Sequence, residues 1–134
     1  MTAHLLDASV VIAGSDGEHV HFERVERWRA SDTGPWALCP IVEGALVRYL
    51  VRTGESAVRA AEVVGAWRAV PGVEFWSDDV SYRDADLSRV RGHRQVTDAY
   101  LVALATAHGG VLATLDEGLV RAHPNGAVLV PELP

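Results

Sequence analysis

Four acidic residues stand where an apolar run gives way to a helix-forming one. Asp7 follows His4-Leu5-Leu6, Glu43 lies one turn past Pro40, Asp98 opens a stretch rich in Ala, Leu and Val, and Asp116 follows Val111-Leu112-Ala113-Thr114. Four carboxylates gathered in one place repel one another unless a cation sits among them. An all-oxygen ligand set suits a hard divalent ion, Mg²⁺ or Mn²⁺. That chemistry depends on whether the fold brings the four together.

The stretch from Gln95 to Glu117 carries the strongest signal about the fold. Ala, Leu and Val fill its first half almost all round, the pattern of a buried helix. Gly109 and Gly110 stop that helix in the manner of a C′ glycine. Val111 to Thr114 is then a short apolar run, as expected of a parallel strand covered on both faces. Upstream, His4-Leu5-Leu6 predicts a first strand, and Ala8 to Ile12 turns away from it. Phe22, Val25 and Trp28 recur at threes through an amphipathic helix over 19–30. Trp36 to Cys39 is a second strand after a break from Ser31 to Pro35, and Pro40 starts a helix that runs to Arg52. Ser56 caps the next helix, with Ala57, Ala60, Ala61, Val64 and Trp67 on one face. Pro71-Gly72 turns the chain into a third strand, Val73 to Trp76. Residues 77–95 are irregular and rich in Asp and Arg. A short helix over 117–122 and a last strand, Val128 to Val130, complete the order.

Strands alternating with helices predict one α/β domain over 1–134, three layers (α/β/α) around a central, mainly parallel sheet. Ligands of such sheets collect outside the carboxyl ends of the strands. Asp7 and Asp116 follow strands, and Glu43 sits one turn into the helix after the second strand. Asp98 lies at the amino end of a helix antiparallel to the strand after it. All four therefore reach one edge of the sheet.

Composition narrows the chemistry. The net charge is −6, and all 12 basic residues are Arg, with no Lys. That excludes any mechanism needing a Schiff-base or phosphate-cradling lysine. It also argues against holding nucleic acid through a broad basic face, although bound metal ions can still meet phosphates. Cys39 has no partner for a disulfide, and neither a signal peptide nor a run of 18 or more apolar residues is evident, so a cytoplasmic location with no membrane contact is expected.

The motifs Leu-Leu-Asp-Ala-Ser, Pro-Ile-Val-Glu-Gly-Ala-Leu, Val-Thr-Asp-Ala-Tyr-Leu and Ala-Thr-Leu-Asp resemble the four acidic motifs of PIN-domain nucleases. The chain length and the segment Arg91-Gly92-His93-Arg94-Gln95 are most similar to VapC toxins of bacterial toxin–antitoxin pairs. This resemblance covers essentially the whole chain. It implies that Asp7, Glu43, Asp98 and Asp116 are the catalytic acids, with Asp7, Asp98 and Asp116 holding Mg²⁺, or Mn²⁺ in its place. Thr114, and Ser9 in the same way, would support them. The implied activity is Mg²⁺-dependent endoribonuclease action by the toxin of a type II pair, which forms a homodimer and is blocked by a cognate VapB-like antitoxin. Arg89, Arg91 and Arg94, just before Asp98, are candidates to meet RNA phosphates. A PIN nuclease of RNA processing and a catalytically silent PIN interaction module are the alternatives.

Each acid also has an ordinary structural role. Asp7 suits a helix cap, and Asp98 in a first turn gains ~0.3–1 kcal/mol from the helix dipole. Thr114-Leu115-Asp116-Glu117 fits a capping box with Thr114 at the cap, and Glu43 suits a helix surface. The arginines of 89–94 have Asp78, Asp79, Asp84 and Asp86 as possible ion-pair partners. Four unrelated caps at one sheet edge are the less economical account. Among rival enzymes, a haloacid-dehalogenase-type site needs an Asp where Ser9 stands. A receiver domain and a P-loop each need an absent Lys. His19 and His21, two apart, do not share a helix face. His108 near a helix end suits carbonyl capping, His4, His93 and His123 have no predicted partner, and the four tryptophans suit core or interface.

Overall fold

The computed structural model describes residues 2–31 and 34–134, so Asp32 and Thr33, in the middle of the expected break, lie outside the described residues. Five strands form the sheet: β1 (His4–Leu6), β2 (Trp36–Leu38), β3 (Val73–Phe75), β4 (Val111–Thr114) and β5 (Ala127–Leu129). Their order is β3-β2-β1-β4-β5, and every pairing is parallel. The register sets Leu6 beside Ala113 and Leu5 beside Ala37.

The helices are α1 (Ala8–Ser15), α2 (Phe22–Ser31), α3 (Pro40–Arg52), α4 (Ala57–Arg68), α5 (Val96–Ala107) and α6 (Glu117–Ala122). The connections from β1 to β2 and β2 to β3 move one way along the sheet, while those from β3 to β4 and β4 to β5 move the other way. Right-handed crossovers then place α1–α4 on one face and α5 and α6 on the other. The packing agrees: α1 meets α2 and α3, α3 meets α4, and α5 lies on β1 and β4. The chain changes direction between β1 and β4, the place where such sheets leave a crevice for ligands.

The buried helix is α5, with Tyr100, Leu101, Leu104 and Ala105 each no more than 1% exposed. Gly109 ends it at φ +75°, and Gly110 N–H donates back to Ala105 O at 2.8 Å. A side chain on Gly110 would meet Ala3 O at 2.5 Å, which holds the turn tight against the first strand. Leu5, Leu112, Val10 and Val42 fill the core between the layers, each fully buried.

Several boundaries differ from expectation. α2 begins at Phe22 rather than His19, because the His19 ring takes the His21 N–H at 3.0 Å and ties 19–21 into a turn. β3 ends at Phe75, with Trp76 past the strand, and β5 covers 127–129 rather than 128–130. On α4, Ala60 and Trp67 face inward, but Ala57 and Ala61 are exposed, so the expected face is narrower. Among the described residues no helix is long and apolar enough to cross a membrane.

Candidate active site

Asp7 caps α1 at the carboxyl end of β1 and is only 6% exposed. Its Oδ1 accepts from Ala8 N at 2.8 Å, and its Oδ2 accepts from Ser9 Oγ at 3.0 Å and Thr114 Oγ1 at 2.7 Å. Burial raises its pKa above the usual carboxylate value, the three hydrogen bonds work against that, and the charge of Asp116 adds to the rise. Thr114, fully buried at the end of β4, also accepts from Asp116 N at 3.1 Å. One hydroxyl therefore links the acid after β1 to the acid after β4. Ser9 Oγ accepts from Leu115 N at 3.2 Å, a second tie across the same seam.

Asp116 is itself the N-cap of α6, with Oδ1 accepting from Gly118 N at 2.8 Å and Leu119 N at 3.2 Å. The capping box expected around Thr114 is corrected accordingly: Thr114 is still in the strand, and its hydroxyl is committed to Asp7. Asp98 lies in the first turn of α5, half-buried, and no hydrogen bond reaches its carboxylate from the described residues. Its pKa is raised to about 6, first by burial and then by the charges of Asp7 and Asp116. These three carboxylates therefore share one electrostatic site.

Glu43 stands apart. It occupies the first turn of α3 past β2, at the same edge of the sheet, but the charges that act on it are Arg68 and Asp78. Burial raises its pKa, Arg68 opposes that and Asp78 adds to it, while its Oε2 is buried with no hydrogen-bond partner. Asp78, past the end of β3, also acts on the Cys39 thiol. Burial first, with Asp78 adding, pushes that thiol up to about 12, so Cys39 stays protonated and unreactive near neutrality.

The chain matches the PIN domain family over residues 4–123. This is a PIN-domain protein of the VapC group. It is 52% identical over 128 residues to Ribonuclease VapC29 of Mycobacterium tuberculosis, covering 95% of this chain and 96% of that one. It is 40% identical over 121 residues to Ribonuclease VapC38 of the same organism, covering 86% of each. Among solved structures, M. tuberculosis VapC20, a toxin that cleaves the sarcin–ricin loop, superposes with a TM-score of 0.72 at 20% identity, over 90% of this chain and 95% of that one. A protein of Pyrobaculum aerophilum superposes at 0.58 and 19% identity, over 96% and 84%. At those identities the two structures speak for the fold.

In this PIN domain the donor chemistry fits a hard cation. All the donors are carboxylate oxygens, Asp98 has neither a hydrogen bond nor an ion pair from the described residues, and Glu43 keeps an orphaned buried oxygen. Among the described residues no three such side chains already converge as a ligand cage. The fold thus brings Asp7, Asp98 and Asp116 into one electrostatic neighbourhood without assembling a cage from them.

Of the arginines, Arg89 donates to Ala122 O at 2.7 Å, Arg91 donates to Ser88 O at 3.3 Å, and Arg94 is exposed. Among the described residues none of them forms an ion pair with Asp78, Asp79, Asp84 or Asp86; Asp79 instead pairs with His108 at 3.3 Å. His108 in turn stacks on Trp76, ring centroids 4.2 Å apart. A cavity of about 640 Å³ runs along α5 between Asp79 and Asn125 and contains none of the four acids. A smaller one of about 220 Å³ does open on Asp98 and Asp116, and it is lined by Gln95 and His123, which the sequence did not single out for the site.

Proposed function

We propose that this PIN domain is a Mg²⁺-dependent endoribonuclease, the toxin of a type II toxin–antitoxin pair. The observation that carries the reading is Asp98: a half-buried carboxylate facing two others, with no donor of its own. Burial beside two like charges outweighs the helix-dipole gain at that position, which supports a ligand role for it. The ribonuclease names of its relatives supply the reaction class.

Asp7, Asp98 and Asp116 would hold the ion, with Glu43 at the same edge of the sheet but among other charges, Arg68 and Asp78. Mg²⁺ bound there supplies positive charge beside an RNA phosphate and acidifies a water molecule. The chain's own part is to orient the oxygens. Asp7 is fixed by three donors and Asp116 by two backbone amides, so both enter the reaction already aimed. Asp98 has no such tether and can turn towards whatever enters. No side-chain nucleophile takes part, and the products should carry a 5′-phosphate and a 3′-hydroxyl.

The partners follow from the same family reading: an RNA substrate, a VapB-like antitoxin with a basic side chain aimed at the acids, and a second copy of the chain. Of the large apolar side chains on α2 and α4, Val25 and Trp67 are turned inward, whereas Val58, and Val20 in the turn before α2, remain outside. A cytoplasmic location belongs to this reading as well. End-mapping of RNA cut with Mg²⁺ and with EDTA tests the activity. A cyclic 2′,3′-phosphate, or full cleavage in EDTA, refutes it.

A further inference from the structure

The cavity of about 220 Å³ beside Asp98 and Asp116 has a composition that the acid chemistry does not require. Its lining is mixed, and Val90, Leu119 and Ala122 supply the apolar part. Its rim carries Gln95, Arg89 and His123. Gln95 Oε1 is used by Arg91 N at 2.6 Å, so its amide NH₂ is the free group and is a donor. Arg89 Nη1 is tied to Ala122 O at 2.7 Å, which leaves its other N–H groups to donate. Burial, and then the charge of Arg89, lowers the His123 pKa, with Asp86 opposing, so the imidazole is neutral near pH 7. No hydrogen bond reaches that ring from the described residues.

A small cavity that combines apolar side chains with planar guanidinium, amide and imidazole groups suits one unstacked nucleobase, as single-stranded RNA is read. Two side-chain donors in the lining would select a base that presents carbonyl acceptors, as arginine selects guanine O6 and N7. We propose that this cavity seats the nucleobase next to the scissile phosphate, that it prefers guanine or uracil to adenine or cytosine, and that Gln95 and Arg89 read the base edge while His123 gives it a face. The proposal rests on the RNA-cleaving function assigned above to the adjoining acids.

Two measurements decide it. In the first, RNA of random sequence is cut by wild type, Gln95→Glu and His123→Ala, and the product ends are sequenced. Wild type should favour guanine or uracil at one nucleotide flanking the cut. Gln95→Glu, which still accepts from Arg91 N but presents no donor, should lower that preference about tenfold or more. His123→Ala should raise KM more than it lowers kcat. An even base distribution from wild type, or an unchanged one from Gln95→Glu, overturns the proposal.

In the second, amide spectra of the Asp7→Asn protein are recorded with GMP, UMP, AMP, CMP and ribose 5-phosphate. GMP and UMP should shift Val90, Leu119 and Ala122 at concentrations where ribose 5-phosphate does not. Equal shifts from ribose 5-phosphate would show a phosphate site and defeat the base assignment. If wild type cuts no RNA while GMP and UMP still bind here, the nuclease reading fails and the base site stands.

Discussion

Replacing Asp98 by Asn gives the sharpest test of the shared acidic site, because stability rather than activity reports it. Asp98 has a folded pKa of about 6 against an ordinary value of 3.8. Between those values the folded chain holds a proton that the unfolded chain has released, so stability falls as pH rises through the window and stays low above it. At about 1.36 kcal/mol per unit the full effect is at most ~3 kcal/mol. The side chain keeps part of its contact with water, and screening reduces this to about 1–2 kcal/mol. The first-turn charge returns ~0.3–1 kcal/mol through the helix dipole. Asp98→Asn should therefore melt a few degrees higher than wild type in EDTA at pH 7, at about 3–5 °C per kcal/mol for a chain of this size. Below pH 4 the difference should vanish. Millimolar Mg²⁺ should raise the wild-type Tm, by about 2.7 kcal/mol of stability at a hundredfold excess over Kd, and should leave the variant nearly unmoved. Calorimetric melts of both proteins in both buffers measure all of this. A variant that loses stability equally with EDTA and with Mg²⁺, and keeps its Mg²⁺ shift, would refute the shared site.

Thr114→Val removes the 2.7 Å bond to Asp7 and the acceptor for Asp116 N. It should cost about 1.5–3 kcal/mol, as for a hydrogen bond to a charged group, while Thr114→Ser recovers most of it in urea titrations. Arg24, 8% exposed, donates from Nε to Val130 O and Pro131 O at 3.1 Å. Arg24→Met keeps the packing of the stem but strips those carbonyls of their donor, and denaturant melts should show a loss of about 1–3 kcal/mol. Light scattering across micromolar concentrations should give the mass of two chains, and a strict monomer would remove the second copy from the proposal.

Most strands were readable as short apolar runs, and the acids were readable by position, Asp7 and Asp116 just past such runs and Glu43 and Asp98 in first helical turns. What the sequence misplaced involves contacts between distant segments. Val128-Leu129-Val130 looks like the strand, but Val128 is 38% exposed and Ala127 is buried, since the pairing with β4 starts at Ala127. Thr114 has the letters of a helix cap, yet Asp7, far away in the chain, claims its hydroxyl and passes the cap to Asp116. Glu43 reaches the correct edge, but its neighbours Arg68 and Asp78 arrive from α4 and from beyond β3, and no local pattern announces them. Gln95 and His123 were invisible for the same reason: a cavity wall has no periodicity.

The sheet order also sets a timetable. β1 is made early yet occupies the centre, with Leu6 paired to Ala113, so the sheet closes only through contacts of very long sequence separation. Asp7 cannot take its held position before Thr114 exists to donate to it. At a synthesis rate of about 5–20 residues per second, the growing chain spends several seconds or more carrying its first acids without an assembled edge. On the function proposed here, RNA around the growing chain is spared during that interval by topology alone, and an antitoxin translated beside it has that long to be ready.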